Sequence, residues 1–253
     1  MQQKYLQSYG RTKSRKLRDS GVRLMAEVLP RVRVEPRNFG TSELRNLFSG
    51  VREFGSSGAP IWLEIGFGDG GHLLHQALEH PQVGIIGCEP FINGTVKLLR
   101  GVEENGLENV RIFQGDFREL FEPRNSGIPE LQIGNSEVQE FGSSIDRVFI
   151  LFPDPWPKKR QQKRRLVSHE SLDILARVMK PGARLRIATD HEGYAKWIVK
   201  LLLARRDFRW LAQSKADWQV QPVDHIETKY QLKNLAGSKR AIFFEAVVEK
   251  MVD

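Results

Sequence analysis

The sequence predicts an α/β protein built on a doubly wound, mostly parallel sheet with an antiparallel strand at its C-terminus. Short apolar runs alternate with stretches of helical periodicity from residue 61 onward, a pattern typical of a parallel sheet covered by helices on both faces. A glycine-rich turn follows the first apolar run, where the first strand of such a sheet meets its helix. The chain has 253 residues, enough to bury a large core.

The predicted elements follow one another in a regular order. Apolar runs predict strands over residues 61–65, 83–88, 109–113, 145–152, 183–188 and 241–249. Apolar positions at helical spacing predict helices over residues 42–54, 72–79, 92–105, 168–179 and 194–203. Pro181 and Gly182 end the helix of residues 168–179, because neither residue continues a helix well.

Two regions fall outside this regular pattern. Residues 1–58 are predicted to form an N-terminal extension, in which a basic arm over 1–20 precedes a helical part, and residues 59–253 form the main domain. Residues 122–144 are rich in Gly, Ser, Pro and Asn and lack periodic apolar positions. They are therefore predicted to be a loop insertion between the third and fourth strands.

Composition and charge narrow the class of function. The chain carries 39 Lys+Arg against 31 Asp+Glu, and residues 158–165, KKRQQKRR, hold six of these cations in eight positions. Clustered cations of this kind predict a nucleic-acid partner. No apolar run approaches the ~20 residues that a bilayer span needs, so no membrane partner is expected. The single cysteine favours a reducing, cytoplasmic location, and the histidines show no zinc-binding spacing, so no metal is expected.

The glycine-rich turn, LEIGFGDGG at residues 63–71, fits two nucleoside-binding templates. Its glycines let a ligand approach the main chain closely at the carboxyl end of the first strand. The dinucleotide template G-x-G-x-x-G is matched by Gly66, Gly68 and Gly71. The methyl-donor template E-x-G-x-G-x-G is matched by Glu64, Gly66, Gly68 and Gly70.

Two further acids follow the second and third strands. Glu89 lies about 20 residues after the glycines, where a carboxylate can accept hydrogen bonds from ribose hydroxyls. Asp116 follows the third strand, in a position to reach an adenine. Glu64 and Asp116 are explained less well by a nicotinamide dinucleotide, so the sequence favours S-adenosylmethionine and keeps the dinucleotide as an alternative.

A proline-rich motif, FPDPWPK at residues 152–158, follows the fourth strand directly. Its three prolines restrict the backbone and hold Asp154 at the mouth of the site, next to Trp156, which could stack on a base. Asp190 ends the fifth strand. It could contact a ligand there, or cap the helix that follows.

These motifs together resemble the bacterial tRNA (guanine-N7-)-methyltransferases. The resemblance runs from about residue 61 to the C-terminus, and its most specific motif is the proline-rich segment with its basic tail. Its motifs are LEIGFGDG (63–70), GCEP (87–90), LFPDPWPKKRQQKRR (151–165), ATDHEGYA (188–195) and TKYQ (228–231). The resemblance implies a Rossmann-like class I methyltransferase fold. It also implies S-adenosylmethionine-dependent formation of 7-methylguanosine at guanosine 46, in the variable loop of tRNA.

The resemblance also implies a role for individual residues. The cofactor would be contacted by Glu64, Gly66, Gly68, Glu89 and Asp116. Asp154 would be the active-site acid. The guanosine would be contacted by Lys158, Asp190, Thr228, Lys229, Tyr230 and Gln231. The RNA would be contacted by Arg160, Lys163, Arg164 and Arg165.

Two positions depart from the family pattern. Gln231 stands where the family usually has an acid, and the bulky Phe117 stands where a small residue usually follows the third-strand acid. The first departure affects a guanine contact, and the second affects the fit around adenine.

The partner implied by the resemblance is tRNA, bound by a monomer or a homodimer. The main alternative is a non-catalytic RNA-binding subunit that has kept the fold, and the less favoured one is an NAD-dependent oxidoreductase. Retention of Glu64, Glu89, Asp116 and Asp154 argues against the non-catalytic subunit.

Overall fold

A computed structural model of the chain describes residues 12, 16–35, 41–51, 58–121, 144–227 and 240–249, without the side chains of 41–43. Within these parts, seven strands form one sheet with the order β3-β2-β1-β4-β5-β7-β6. The strands are β1 (Ile61–Ile65), β2 (Gly84–Cys88), β3 (Val110–Phe113), β4 (Ile145–Leu151), β5 (Met179–Thr189), β6 (Phe208–Trp210) and β7 (Ile242–Val248). Strands β1 to β5 are parallel, β7 is antiparallel to β5, and β6 is antiparallel to β7.

Helices cover both faces of this sheet, so the predicted fold class is confirmed. The α-helices are α1 (Asp19–Arg23), α2 (Leu29–Val32), α3 (Thr41–Asn46), α4 (Gly71–Glu79), α5 (Ile92–Glu104), α6 (Phe117–Phe121), α7 (His169–Val178) and α8 (Glu192–Leu203). A π-helical turn, Leu24–Val28, joins α1 to α2, and short 3-10 helices lie at Lys159–Arg164 and Asp217–Gln219. No described helix is long and apolar enough to cross a membrane.

The hydrophobic core has two large clusters, which lie on opposite faces of the sheet. One joins α7 and α8 to the central strands, and its members include Ile150, Leu172 and Ile198. The other joins α4 and α5 to β2 and β3, and includes Leu73 and Leu99. The strands contribute to both because residues on a parallel strand alternate between two covered faces.

The first helical part of the N-terminal extension packs into the second cluster. Leu24, Val28 and Val32 are each at most 6% exposed and belong to the same cluster as α5. The backbone N–H of Val34 donates to Ile112 O at 2.8 Å, so the extension also adds to the edge of β3. The sequence predicted a helical part in this extension, but not the continuous helical segment over 19–32. Pro30 lies within it, and the wider π-helical turn before it accommodates a residue that cannot donate to the carbonyl four positions earlier.

Several predicted boundaries differ from the structure. The strand predicted at 183–188 begins at Met179, so it includes Pro181 and Gly182, and α7 ends at Val178. The helix predicted at 42–54 is described only as Thr41–Asn46, followed by turns. Strand β6 was not predicted, because three residues are too few to show a period. Most of the basic arm 1–20 and all but residue 144 of the predicted insertion lie outside the described residues, and the division at 58/59 stays a prediction.

Candidate active site

The carboxyl ends of the parallel strands bring the predicted site residues to one edge of the sheet. Strand β1 lies between β2 and β4, so the strand order reverses on either side of it. Such a reversal opens a crevice outside the carboxyl ends of the strands, which is where doubly wound proteins bind their ligands. The residues that follow β1, β2, β4 and β5 at this edge include Gly66, Glu89, Asp154 and Asp190.

The glycine loop after β1 leaves open space beside its backbone. Gly66, Gly68 and Gly70 have φ angles of 74°, 59° and 79°, which L-residues with a Cβ rarely adopt. A Cβ added at Gly66 would meet no atom within 4 Å, whereas one at Gly70 would lie 2.7 Å from the Leu98 side chain. A Cβ at Gly71 would meet only Asp69 Oδ1, at 3.7 Å. The loop therefore requires glycine at the positions of the methyl-donor template, and not at the third glycine of the dinucleotide template.

Glu89 is held in place from the glycine loop. Glu89 is 8% exposed. It accepts from the Gly68 N–H at 2.8 Å through Oε2 and from the Phe91 N–H at 2.8 Å through Oε1. Burial raises the pKa of the Glu89 carboxyl, the two backbone hydrogen bonds oppose this shift, and the negative charges of Asp154 and Glu64 add to it. Asp154 and Glu64 thus both place negative charge near Glu89, which suits a ligand that carries positive charge.

Glu64, on β1, is oriented by a histidine. His72 Nδ1 donates to Glu64 Oε2 at 2.7 Å, and both side chains are at most 4% exposed. Gln76 follows one turn further along α4. Its Nε2 lies 3.4 Å from His72 Nε2 and donates to the Asp224 backbone carbonyl at 2.8 Å. The Glu64 carboxylate is therefore linked through α4 to the segment that precedes β7. His72 and Gln76 were not predicted as site residues, although their spacing of four residues on a predicted helix is visible in the sequence.

Gly94, near the start of α5, allows this helix to approach the glycine loop. A Cβ added at Gly94 would lie 1.9 Å from Gly68 O and 2.9 Å from Gly68 C. The helix can therefore support the loop only because residue 94 has no side chain. Gly94 was not predicted as a site residue, and its signal in the sequence is an isolated glycine within a helical pattern.

Asp116, after β3, is engaged by a neighbouring arginine. Arg118 Nη2 lies 2.7 Å from Asp116 Oδ2, and Arg118 Nε and its backbone N–H donate to Oδ1 at 2.9 and 3.0 Å. Oδ1 accepts two of these hydrogen bonds and Oδ2 accepts one. Because each carboxylate oxygen has two lone pairs, Oδ2 can still accept from one further donor. Phe117 is 1% exposed and packs in the core, and its predicted effect on the fit around adenine stays a prediction.

The proline-rich motif after β4 forms a turn with unusual backbone geometry. Phe152 and Trp156 have φ angles of 52° and 41°, and they are the described non-glycine residues with positive φ. Such conformations cost about 1–3 kcal/mol each and tend to cluster at functional sites. The Phe152 N–H donates to Ala188 O at 2.8 Å, which ties the turn to β5. Between the two strained residues, Asp154 is exposed to solvent and close enough to Glu89 and Tyr194 to raise the pKa of each.

Asp190 follows β5 at the same edge and is half-buried. It does not cap α8, because His191 is the N-cap residue and its Nδ1 accepts from the Tyr194 N–H at 3.1 Å. The alternative of a helix cap for Asp190 is therefore wrong, and its predicted contact with a ligand stays a prediction.

The basic run divides into outward-facing and inward-facing residues. Lys158, Arg160 and Lys163 are exposed, in and beside the 3-10 helix Lys159–Arg164. Arg164 places its guanidinium carbon 5.0 Å from the centroid of the Trp156 ring, so this arginine covers the aromatic face predicted to stack on a base. Arg165 is 4% exposed. It offers almost no surface to a phosphate, which argues against the predicted contact of Arg165 with RNA.

The remaining predicted contacts, Thr228, Lys229, Tyr230 and Gln231, lie outside the described residues. Among the residues that are described, no group of three or more His, Cys, Asp or Glu could hold a metal ion.

The fold and this edge define a methyltransferase of the doubly wound class, with a glycine loop and acids where a nucleoside donor binds. A family model described as "putative methyltransferase" matches residues 58–130 and 137–243. The tRNA (guanine-N(7)-)-methyltransferase of Hyphomonas neptunium is 42% identical over 238 residues, which cover 94% of this chain and 98% of that protein. The enzyme of the same name from Caulobacter vibrioides is 40% identical over 240 residues, 95% of this chain and 94% of that protein. That from Rhodospirillum rubrum is 38% identical over 237 residues, 92% and 84% of the two chains. The chain therefore belongs to the tRNA (guanine-N7-)-methyltransferase family.

Proposed function

We propose that this chain transfers the methyl group of S-adenosylmethionine to N7 of a guanine in tRNA, forming 7-methylguanosine. The observation that carries the proposal is the shared edge of the sheet. There the glycine loop and Glu89 adjoin Asp154, and the exposed cations of 158–163 continue from the same turn. Family membership supports the same reaction.

The residues at this edge fit the proposed methyl donor. The open space beside Gly66 accommodates a ligand against the main chain, and Glu89 is positioned to accept from the two ribose hydroxyls. Glu64, Gly68 and Asp116 complete the proposed donor contacts. Bound S-adenosylmethionine supplies an electrophilic methyl group on a positively charged sulfur. The negative charges of Asp154 and Glu64 beside Glu89 provide a field of the opposite sign.

The chemistry at guanine requires positioning and charge, and no base. N7 carries a lone pair and no proton, so nothing has to be removed before it attacks. The purine becomes cationic during the transfer, so fixed carboxylates stabilise the transition state. In the proposal Asp154 and Asp190 accept hydrogen bonds from guanine N1–H and the 2-amino group, which also aligns N7 with the methyl group. Lys158 and the four residues Thr228, Lys229, Tyr230 and Gln231 complete the guanosine contacts.

Binding of tRNA in this proposal uses the outward-facing cations. Arg160, Lys163 and Arg164 neutralise phosphates, which gives affinity that depends on salt. A folded RNA buries the edge of its bases, so the target guanine has to leave its stack before it reacts. The Trp156 ring becomes available for the extruded base when Arg164 turns from that ring to a phosphate.

The finer parts of the proposal concern the position and setting of the reaction. We propose guanosine 46 of the variable loop as the target, by resemblance to the family. We also propose a cytoplasmic monomer or homodimer that acts without a resident metal.

The proposal is tested by incubating the chain with labelled S-adenosylmethionine and bulk tRNA, and identifying the modified nucleoside. We expect labelled 7-methylguanosine from bulk tRNA and from a tRNA transcript that has guanosine 46. We expect none from the same transcript with adenosine at position 46. Label in another nucleoside would contradict the reaction. Equal labelling of the two transcripts would contradict only the position.

A further inference from the structure

The inward-facing arginine at the end of the basic run has surroundings that no RNA contact explains. Arg165 is 4% exposed, and its guanidinium carbon lies 4.9 Å from the centroid of the Tyr194 ring and 5.1 Å from that of the Trp197 ring. Both aromatic residues belong to α8, which begins directly after Asp190 and its neighbour. The arginine is therefore bound to the helix that follows the fifth strand.

The same arginine also binds the turn that contains Asp154. Arg165 Nε donates to Pro155 O at 2.9 Å. This carbonyl belongs to the residue after Asp154 and lies between the strained residues Phe152 and Trp156. A strained backbone persists only where its surroundings determine it, and a hydrogen bond from a buried cation to a carbonyl in the turn provides such a restraint.

The chain on the other side of Arg165 is fixed to the same helix. Tyr194 Oη accepts from the Val167 N–H at 3.0 Å, and Trp197 Nε1 donates to Val167 O at 2.8 Å. Both polar groups of the Val167 backbone are thus bound by the two aromatic residues that stack on Arg165. These contacts give the arginine a fixed position from which to hold the turn.

We infer that Arg165 is a positioning residue for methyl transfer, which joins the Asp154 turn to α8 and so fixes the separation of Asp154 and Asp190. This inference rests on the proposed function for its assay. It assigns to Arg165 a role in the rate of the reaction, and none in the affinity for tRNA. Misplacement of reacting groups by about 1 Å can reduce a rate by roughly a hundredfold.

The experiment compares Arg165→Met with two other variants. Arg165→Met keeps the length and apolar stem of the side chain, but removes the donor to Pro155 O and the charge between the rings. Lys163→Ala removes an exposed cation of the same run. Arg206→Met is the matched control, because Arg206 is an exposed arginine at the opposite edge of the sheet, two residues before β6.

We expect Arg165→Met to lower the single-turnover rate at saturating tRNA by roughly ten- to a hundredfold, with unchanged affinity for tRNA and an unchanged dependence of that affinity on salt. Lys163→Ala should reduce the salt slope by up to ~0.9, the duplex value for one phosphate contact, and Arg206→Met should match the parent. Where Arg165→Met fails to fold, Arg165→Lys takes its place, since lysine can still donate to Pro155 O but cannot stack its planar group between the rings. We expect Arg165→Lys to react more slowly than the parent, with unchanged affinity for tRNA.

Two results would overturn the inference. A smaller salt slope in either Arg165 variant would show that this residue neutralises a phosphate. A parental single-turnover rate in a folded Arg165 variant would show that it does not position the turn. Failure of the proposed function is distinguished from both, because the parent chain would then form no 7-methylguanosine.

Discussion

Replacing Gly94 by alanine tests how the donor site is supported. The new Cβ would lie 1.9 Å from Gly68 O. Because packed atoms do not approach so closely, the start of α5 and the glycine loop have to separate by about 1 Å. The Gly68 N–H donates to Glu89 Oε2 at 2.8 Å, and a displacement of that size disrupts this hydrogen bond. A hydrogen bond to a charged group contributes about 1.5–3 kcal/mol, so donor affinity should fall by roughly tenfold or more.

The assay is calorimetric titration of S-adenosylmethionine into Gly94→Ala, with thermal unfolding measured in parallel. Gly71→Ala is the matched control within the same loop, because its Cβ would meet only Asp69 Oδ1 at 3.7 Å. The control should bind the donor with parental affinity and unfold at the parental temperature or slightly above, since alanine favours a helix over glycine by about 0.5–1 kcal/mol. Parental donor affinity in a folded Gly94→Ala protein would refute the reasoning. Equal losses in both variants would refute the distinction between the two glycines.

Three further predictions concern other parts of the chain. Gln231→Glu should keep or raise the rate of methyl transfer. In the proposal the amide oxygen accepts from guanine, and a carboxylate would accept in the same way and add charge. A steady-state assay in which this variant is inactive would contradict the proposed contact. Replacing residues 123–143 by a short Gly/Ser linker should leave donor affinity and the melting temperature unchanged, because the segment lacks periodic apolar positions; a lost melting transition would show that the segment packs. Asp224→Asn should lower the melting temperature at pH 7, at a cost of up to about 3 kcal/mol, because Asp224 pairs with Arg147 and Arg186 at 2.8 Å each. Burial alone would raise the pKa of the Asp224 carboxyl, but the hydrogen bond and charge of Arg186 and the charge of Arg147 outweigh it and lower this pKa. The stability that these ion pairs contribute is therefore complete above the ordinary carboxyl pKa and is lost as the pH falls toward the lowered pKa. The melting temperatures of parent and variant should converge in acid. A difference that stays constant with pH would show that the ion pairs are not its cause.

The parts of the fold that the sequence predicted are those set by local pattern. Strands β1 to β4 and helices α4, α5 and α7 follow periods that can be counted along the chain, and their bounds agree to within a few residues. The acids Glu89 and Asp190 follow strands directly, so parallel topology alone brings them to one edge. Both kinds of prediction need only the order of residues along the chain and the rule that parallel strands have their carboxyl ends at the same edge of the sheet.

The parts that it did not predict depend on contacts between distant residues. The direction of Arg165 is set by two rings on α8, about 30 residues away, so its charge alone suggested a phosphate contact. The requirement for Gly94 is set by the Gly68 carbonyl on another element. The orientation of Glu64 depends on His72 after the loop. In each case the residue type was visible, but its partner could be identified only after the chain had folded.

The central claim is that Asp154 acts on guanine while Glu89 acts on the donor, and one comparison tests it directly. Donor affinity by calorimetry and single-turnover methyl transfer are measured for Asp154→Asn, Asp190→Asn and Glu89→Ala. We expect the two asparagine variants to bind the donor as the parent does and to transfer more slowly by roughly ten- to 150-fold, the effect of one hydrogen bond to a charged group at about 1.5–3 kcal/mol. Glu89→Ala should primarily lower the affinity for the methyl donor. If Asp154→Asn binds both substrates normally and methylates at the parental rate, the claim is contradicted.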